Sequence, residues 1–244
     1  MWAEREDRER RSRPLEPDPA HTGERESAFI VSTREFSPTT NHRTDVVVPT
    51  RSLSWRVVDI IIAAVLGVAC GLIFWVWNSI GGAGYSAFDA VTPGFGGLLT
   101  GVWLLGGVLG GIIVRKPGAA LIVELIAASV SAGIGNQWGI ETLYSGAAQG
   151  LGAEFIFLIF AYKRYSLLIA ILAGMSANAF EWVLELFVSS NLAMSWTYNI
   201  IYLACMLVSG ALLAGVLGWY LMKGLAATGA LDRFAAGRER RAEV

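Results

Sequence analysis

Six apolar runs, at about residues 57–77, 93–114, 118–134, 143–162, 166–188 and 199–222, constrain this chain more than anything else in it. Each run except the third is near the ~20 residues that carry a helix across the hydrocarbon core of a bilayer. The third, GAALIVELIAASVSAGI, covers only ~25 Å at the helical rise, so it needs its flanks or local thinning of the bilayer to span. Composition points the same way. With 54% hydrophobic residues and a mean hydropathy of +0.51, a chain of 244 residues is too apolar for an ordinary soluble domain. The expected fold is all-α: a polytopic membrane protein with six transmembrane helices.

The connectors give the orientation. Arg51 and Arg56 precede the first run, Arg115 and Lys116 separate the second from the third, Lys163 and Arg164 the fourth from the fifth, and Lys223 with an Arg-rich tail follows the sixth. Loops 78–92, 135–142 and 189–198 hold no Lys or Arg. The positive-inside rule then predicts cytoplasmic N- and C-termini and three extracytoplasmic loops. Three regions follow: a disordered arm at 1–50, a transmembrane domain at 51–230 and a charged cytoplasmic tail at 231–244. The arm opens with the charge run WAEREDRERRSR and has no apolar periodicity. A cleaved signal peptide would need an apolar stretch straight after a short basic start, so none is expected. Residues 1–56 carry ten Arg against ten Asp and Glu, a balance that gives no basic field for nucleic acid.

Several functions are excluded by what the apolar region lacks. Both histidines, His21 and His42, lie in the polar arm, whereas an intramembrane zinc or Ser-His protease needs His at membrane depth. No Gly-rich phosphate loop ending in Gly-Lys-Ser or Gly-Lys-Thr occurs, so the chain cannot energise itself with ATP by that route. Cys70 and Cys205 fall within apolar runs and read as small buried hydrophobes. Neither an enzyme nor a resident cofactor or metal is expected.

The polar residues inside the apolar runs carry the chemistry. A carboxylate near the bilayer centre costs ~2.5–3.5 kcal/mol on insertion scales, so each one is either satisfied by a network or part of a ligand site. Glu124 on the third run and Glu154 on the fourth could meet in the inner half, as structural or substrate-facing groups. Gln149 lies ~9–10 Å below the outer end of the fourth helix. On the fifth helix Asn178, Glu181 and Glu185 fall at i, i+3 and i+7 and share one stripe. Trp103 at mid-depth and Trp138 at the outer turn are candidates for stacking on a flat or cationic ring, with Asn136 and Tyr144 beside them. The glycine-rich 78–92 loop, bearing Tyr85 and Phe88, suits a lid. Ala63, Gly67 and Gly71 recur every four residues, a small-residue face on which another backbone can dock closely.

The segments RKPGAALIVELIAA, GNQWG, AAQGLGAEFIF and YSLLIAILAGMSA, in this order, resemble the S component of energy-coupling-factor (ECF) vitamin transporters, and within them the YkoE-type hydroxymethylpyrimidine/thiamine family. The similarity covers about residues 57–230. It implies a six-helix substrate-binding subunit in the cell membrane, with a pocket near the outer face closed by the loop between the first two helices. It also implies that transport depends on a transmembrane T component and a pair of cytoplasmic ATPases, which use the ATP. The small-residue face at Ala63, Gly67 and Gly71 would dock the T component. Thiamine or its hydroxymethylpyrimidine precursor is then the expected ligand, held by Trp103, Asn136, Trp138, Tyr144, Gln149, Asn178, Glu181 and Glu185. The rival readings are an S component for another small nutrient and a structural or assembly membrane protein, with an intramembrane enzyme the weakest.

Overall fold

The computed structural model describes residues 53–189 and 191–232, together with 234 and 237. The arm at 1–50 and most of the tail at 231–244 lie outside the described residues. Among the described residues six helical passes and no strands are formed: α1 (Val57–Val91), α2 (Phe95–Val114), α3 (Ala119–Ile134), α4 (Glu141–Ile159), α5 (Leu167–Val188) and α6 (Trp196–Ala227). Four of these, α1, α2, α5 and α6, are long and apolar enough to cross a membrane alone. α3 has 16 residues, ~24 Å of helix, which keeps it the short member.

The ends of the helices are fixed by side chains placed for that purpose. At the start of α1 the Asp59 carboxylate accepts the Arg56 backbone N–H at 2.9 Å, and it pairs with Lys116 at 3.8 Å. Trp55 Nε1 donates to the Pro117 carbonyl at 2.9 Å, tying this end of α1 to the basic turn. Arg115 takes the left-handed conformation (φ 57°) that ends α2, and its guanidinium lies 4.5 Å over the Tyr165 ring. The N-terminus of α3 would be left with orphan N–H groups. Glu154 from α4 supplies their acceptor, taking Gly118 N–H at 2.6 Å and Ala120 N–H at 2.9 Å. It also accepts from the Tyr162 hydroxyl at 2.7 Å. A carboxylate at a helix N-terminus gains from the dipole as well as from the hydrogen bonds.

α2 is the central post of the bundle. Every residue from Leu105 to Val114 is buried, because its glycines let neighbouring helices approach and leave lipid little to touch. Its first half, Phe95–Leu104, is wound as a 3-10 helix. There the Ser209 hydroxyl of α6 accepts the Gly101 N–H at 2.8 Å and donates to the Leu98 carbonyl at 2.7 Å. It thus bridges an i, i+3 pair that a 3-10 turn would otherwise join directly. α6 itself carries a π-helical stretch at Gly210–Val216. Gly210 crosses Gly174 of α5 there so closely that a Cβ on either would strike the other's carbonyl.

Two expectations are corrected at this level. Residues 78–92 are not a loop: α1 runs unbroken for 35 residues to Val91, about 52 Å, well past a ~30 Å hydrocarbon core. Gly81 makes room for Trp77 of the same helix and Gly84 for Leu99 of α2, and Pro93 with Gly94 (φ 96°) forms the actual turn. The small-residue face of α1 is also taken. Ala63 is buried, and Gly67 and Gly71 lie directly on α3 at Ile126 and Val130, so this face packs the bundle and offers no docking surface for a partner.

Candidate functional site

A cavity of about 380 Å³ opens at the end of the bundle opposite the Arg115–Gly118 turn. The last turns of α1, the 3-10 half of α2, the middle and end of α3, the first turns of α4, the last turns of α5 and Tyr202 of α6 enclose it. Its size is within the range that holds one small ligand.

The floor is polar and acidic. Glu124 is fully buried and accepts the Gly107 N–H, a group left available because α2 meets α3 at a glycine. Gln149, oriented by its neighbours, donates to Glu124 Oε1 at 3.2 Å and to the Trp103 carbonyl at 3.1 Å. Across the cavity Glu181 is buried, with Ser145 and Gln149 against its carboxylate. One helical turn nearer the mouth, Glu185 Oε1 accepts from the Tyr202 hydroxyl at 3.1 Å. The second oxygens of Glu181 and Glu185 are shut off from water and have no hydrogen-bond partner. An unsatisfied buried acceptor is costly, so each of these carboxylates would be rewarded by a ligand donor that lets it turn an oxygen into the cavity. No Lys or Arg lines the cavity, and Glu141 adds a further acidic group at its rim.

One wall is aromatic. Trp103 and Trp138 meet edge to face, their ring centroids 5.5 Å apart at 86°, the geometry favoured by aromatic quadrupoles. Tyr85 meets Tyr202 in the same way at 6.2 Å and 85°.

Of the residues predicted from sequence, Trp103, Glu124, Trp138, Gln149, Glu181, Glu185 and Tyr85 line this cavity together. The others lie elsewhere. Asn178 is fully buried between α5 and α6, donating to the Met206 carbonyl at 2.5 Å beside the π-helical stretch; it sits one turn too deep on its stripe. Asn136 shapes its own turn, its Oδ1 accepting from Trp138 N–H at 3.0 Å and Gly139 N–H at 2.8 Å. It borders only a second, more open hollow between α1 and the α3–α4 turn. Tyr144 (56% exposed) and Phe88 (44% exposed) face away from the cavity. Glu124 and Glu154 do not meet, since one faces the cavity while the other caps α3.

Sequence reasoning missed Asn78, Thr100, Ser131, Ser145 and Tyr202. Ser, Thr and Tyr inside apolar runs are too common to signal a site. Reading 78–92 as a loop hides Asn78, although it is an amide directly after the apolar run 57–77.

Comparison with protein families matches residues 58–180 to the family described as "ABC-type cobalt transport system, permease component". Among curated proteins the chain is similar to YkoE of Bacillus subtilis (strain 168), provisionally designated an HMP/thiamine permease protein, with 39% identity over 188 residues, covering 76% of this chain and 92% of that one. Among solved structures it is similar to a crystal structure of an S-component of an ECF transporter, with a TM-score of 0.67 and 35% identity, covering 78% of this chain and 95% of the other.

Proposed function

The chain belongs to the S components of ECF transporters, within the HMP/thiamine permease family, and from that premise we propose that its cavity captures thiamine or hydroxymethylpyrimidine from the extracytoplasmic side. Membership makes it a non-enzymatic, multi-pass membrane subunit that binds a small vitamin-type substrate and works with T and ATPase subunits. The finer reading rests on the cavity itself.

The carrying observation is the pair of carboxylates Glu181, buried, and Glu185, partly buried, both lining a cavity that has no basic residue and that Trp103 and Trp138 flank. An aminopyrimidine presents N–H donors to carboxylates and an acceptor edge to hydroxyl groups such as Ser145. A flat ring gains from indole faces, and a thiazolium gains further from both the aromatic quadrupoles and the acidic surroundings. Binding from outside is supported by the charge pattern: every Lys and Arg within 53–189 lies at or near the opposite end of the bundle from the cavity mouth. ATP would be spent by the partner subunits, with no cofactor held by this chain.

The matching family's description names cobalt. Among the described residues no group of three His, Cys, Asp or Glu is placed to hold a metal ion.

Calorimetric titration of the purified protein with thiamine and with hydroxymethylpyrimidine tests the proposal. Saturable binding of at least one is expected. Glu181→Gln, which keeps the shape but removes the charge, is expected to weaken it by about 10-fold or more, as loss of a hydrogen bond to a charged group does. No heat with either ligand would overturn the substrate assignment.

A further inference from the structure

The geometry points to Asn78 as the positioning residue of the site, the group that fixes the Trp103 indole and through it the aromatic wall; this rests on the binding role proposed above. Asn78 stands on α1, where the helix leaves the stretch packed on α3 and begins its overhanging third. Its Oδ1 accepts from Trp103 Nε1 at 2.8 Å, and its Nδ2 donates to Ser131 Oγ at 2.9 Å. Ser131 is buried. One side chain therefore joins α1, α2 and α3 at the cavity wall.

The assignment of the amide is forced by chemistry. An indole nitrogen is a donor only, so the atom of Asn78 that faces it must be the oxygen, and the NH2 group must then face Ser131, whose hydroxyl can accept. No other residue type of that size supplies both an acceptor and a donor in one plane. Leu would fill the space and hold neither neighbour; Asp would hold the indole and require Ser131 to reverse its hydroxyl.

The consequence is conformational. Trp103 is only partly buried against the core, so without the hydrogen bond at Nε1 packing alone would set its two side-chain torsions and the edge-to-face contact with Trp138. Trp138 stands on the α3–α4 turn and is 38% exposed, whereas the Trp103 nitrogen is tied to the bundle through Asn78. Anchored at Nε1, Trp103 is the fixed member of the aromatic pair, and Trp138 meets it edge to face at 5.5 Å. Pre-organisation of this kind raises affinity by removing rotamers that binding would otherwise have to freeze.

A spectroscopic test is independent of any ligand. The Trp103–Trp138 pair should give an exciton band in circular dichroism, obtained as the difference between the parent protein and Trp138→Phe. Asn78→Ala is expected to abolish that band, and Asn78→Asp, which keeps the acceptor, to retain it. A double-mutant cycle then uses thiamine and hydroxymethylpyrimidine as probes. Asn78→Ala should weaken binding about 10-fold in the parent background and have little further effect in Trp103→Phe, where no indole N–H remains to be held. Persistence of the full band in Asn78→Ala, its absence from the parent, or an equal loss of affinity in both backgrounds would overturn the proposal. Should neither probe bind the parent, the substrate reading fails, while the exciton band still decides the role of Asn78.

Discussion

Glu124 and Glu154 bring the same side chain into the same bundle and do different work because their partners differ. Glu154 faces the orphan N–H groups of α3 and the Tyr162 hydroxyl, accepting from Gly118 N–H, Ala120 N–H and the Tyr162 O–H. Its environment also acts on Tyr162, whose phenol is held above its ordinary range by burial first and by the adjoining carboxylate second. Glu124 has one backbone N–H and an amide and otherwise faces open volume. Substituting each should therefore move different observables. Glu154→Ala is expected to cost about 1–2 kcal/mol as a lost helix cap, read as a lower melting temperature in detergent with thiamine affinity unchanged. Asn178 makes the same contrast within the fifth helix. Asn178→Leu removes the hydrogen bond to Met206 at the α5–α6 crossing, and a fall in thermal stability with binding retained is the expected result; a selective loss of affinity at unchanged melting temperature would return Asn178 to the site.

At the scale of elements, α1 decides how the rest is arranged. One face is glycine and alanine packed on α3, the opposite face is exposed apolar surface such as Ile61, Val65, Val68 and Leu72 suited to lipid, and the last third overhangs the cavity. Gly71→Leu would drive a side chain into Val130 and the Ala127 carbonyl, forcing α1 from α3. Over-packing at a close helix crossing costs about 1–3 kcal/mol or more, so reduced yield of folded protein and a lowered melting temperature are expected, whereas Ala64→Leu on the exposed face should be neutral in the same assay. This helix also shows what the sequence could and could not reveal. The six passes were legible because span length and apolar content are local properties, and the carboxylates stood out because they are rare at depth. The continuation of α1 through Asn78 to Val91 was not legible: glycines at 81, 82 and 84 read as flexibility until the helices they pack against are known. Depth along a stripe was equally hidden. Asn178 and Glu181 are three residues apart, and only the position of α6 separates a packing residue from a cavity residue.

For the molecule as a whole, the uneven distribution of charge makes the strongest remaining prediction. Arg56, Arg115, Lys116, Lys163 and Arg164 cluster at or beside one end of the helices, and the other end carries Asp89 in the last turn of α1 and Glu141 in the first turn of α4 with no basic residue. Such an asymmetry orients a polytopic protein with its basic end in the cytoplasm, and it gives the cavity mouth a field that favours the approach of cations. Access of a membrane-impermeant maleimide in intact cells tests this directly. Cys70 is buried and Cys205 partly so, and replacing both with Ala leaves a background without thiols. Gln137 at the cavity rim and Lys163 at the opposite turn are both exposed, so each accepts a cysteine without disturbing the core. Gln137→Cys is expected to label in intact cells, with thiamine slowing the reaction because the rim closes on the ligand, and Lys163→Cys to label only after permeabilisation. The reverse pattern would place the cavity on the cytoplasmic face and remove the basis for capture from outside. Equal labelling of both would mean a population of mixed orientation, in which a single set of T and ATPase subunits on one side could not drive net import.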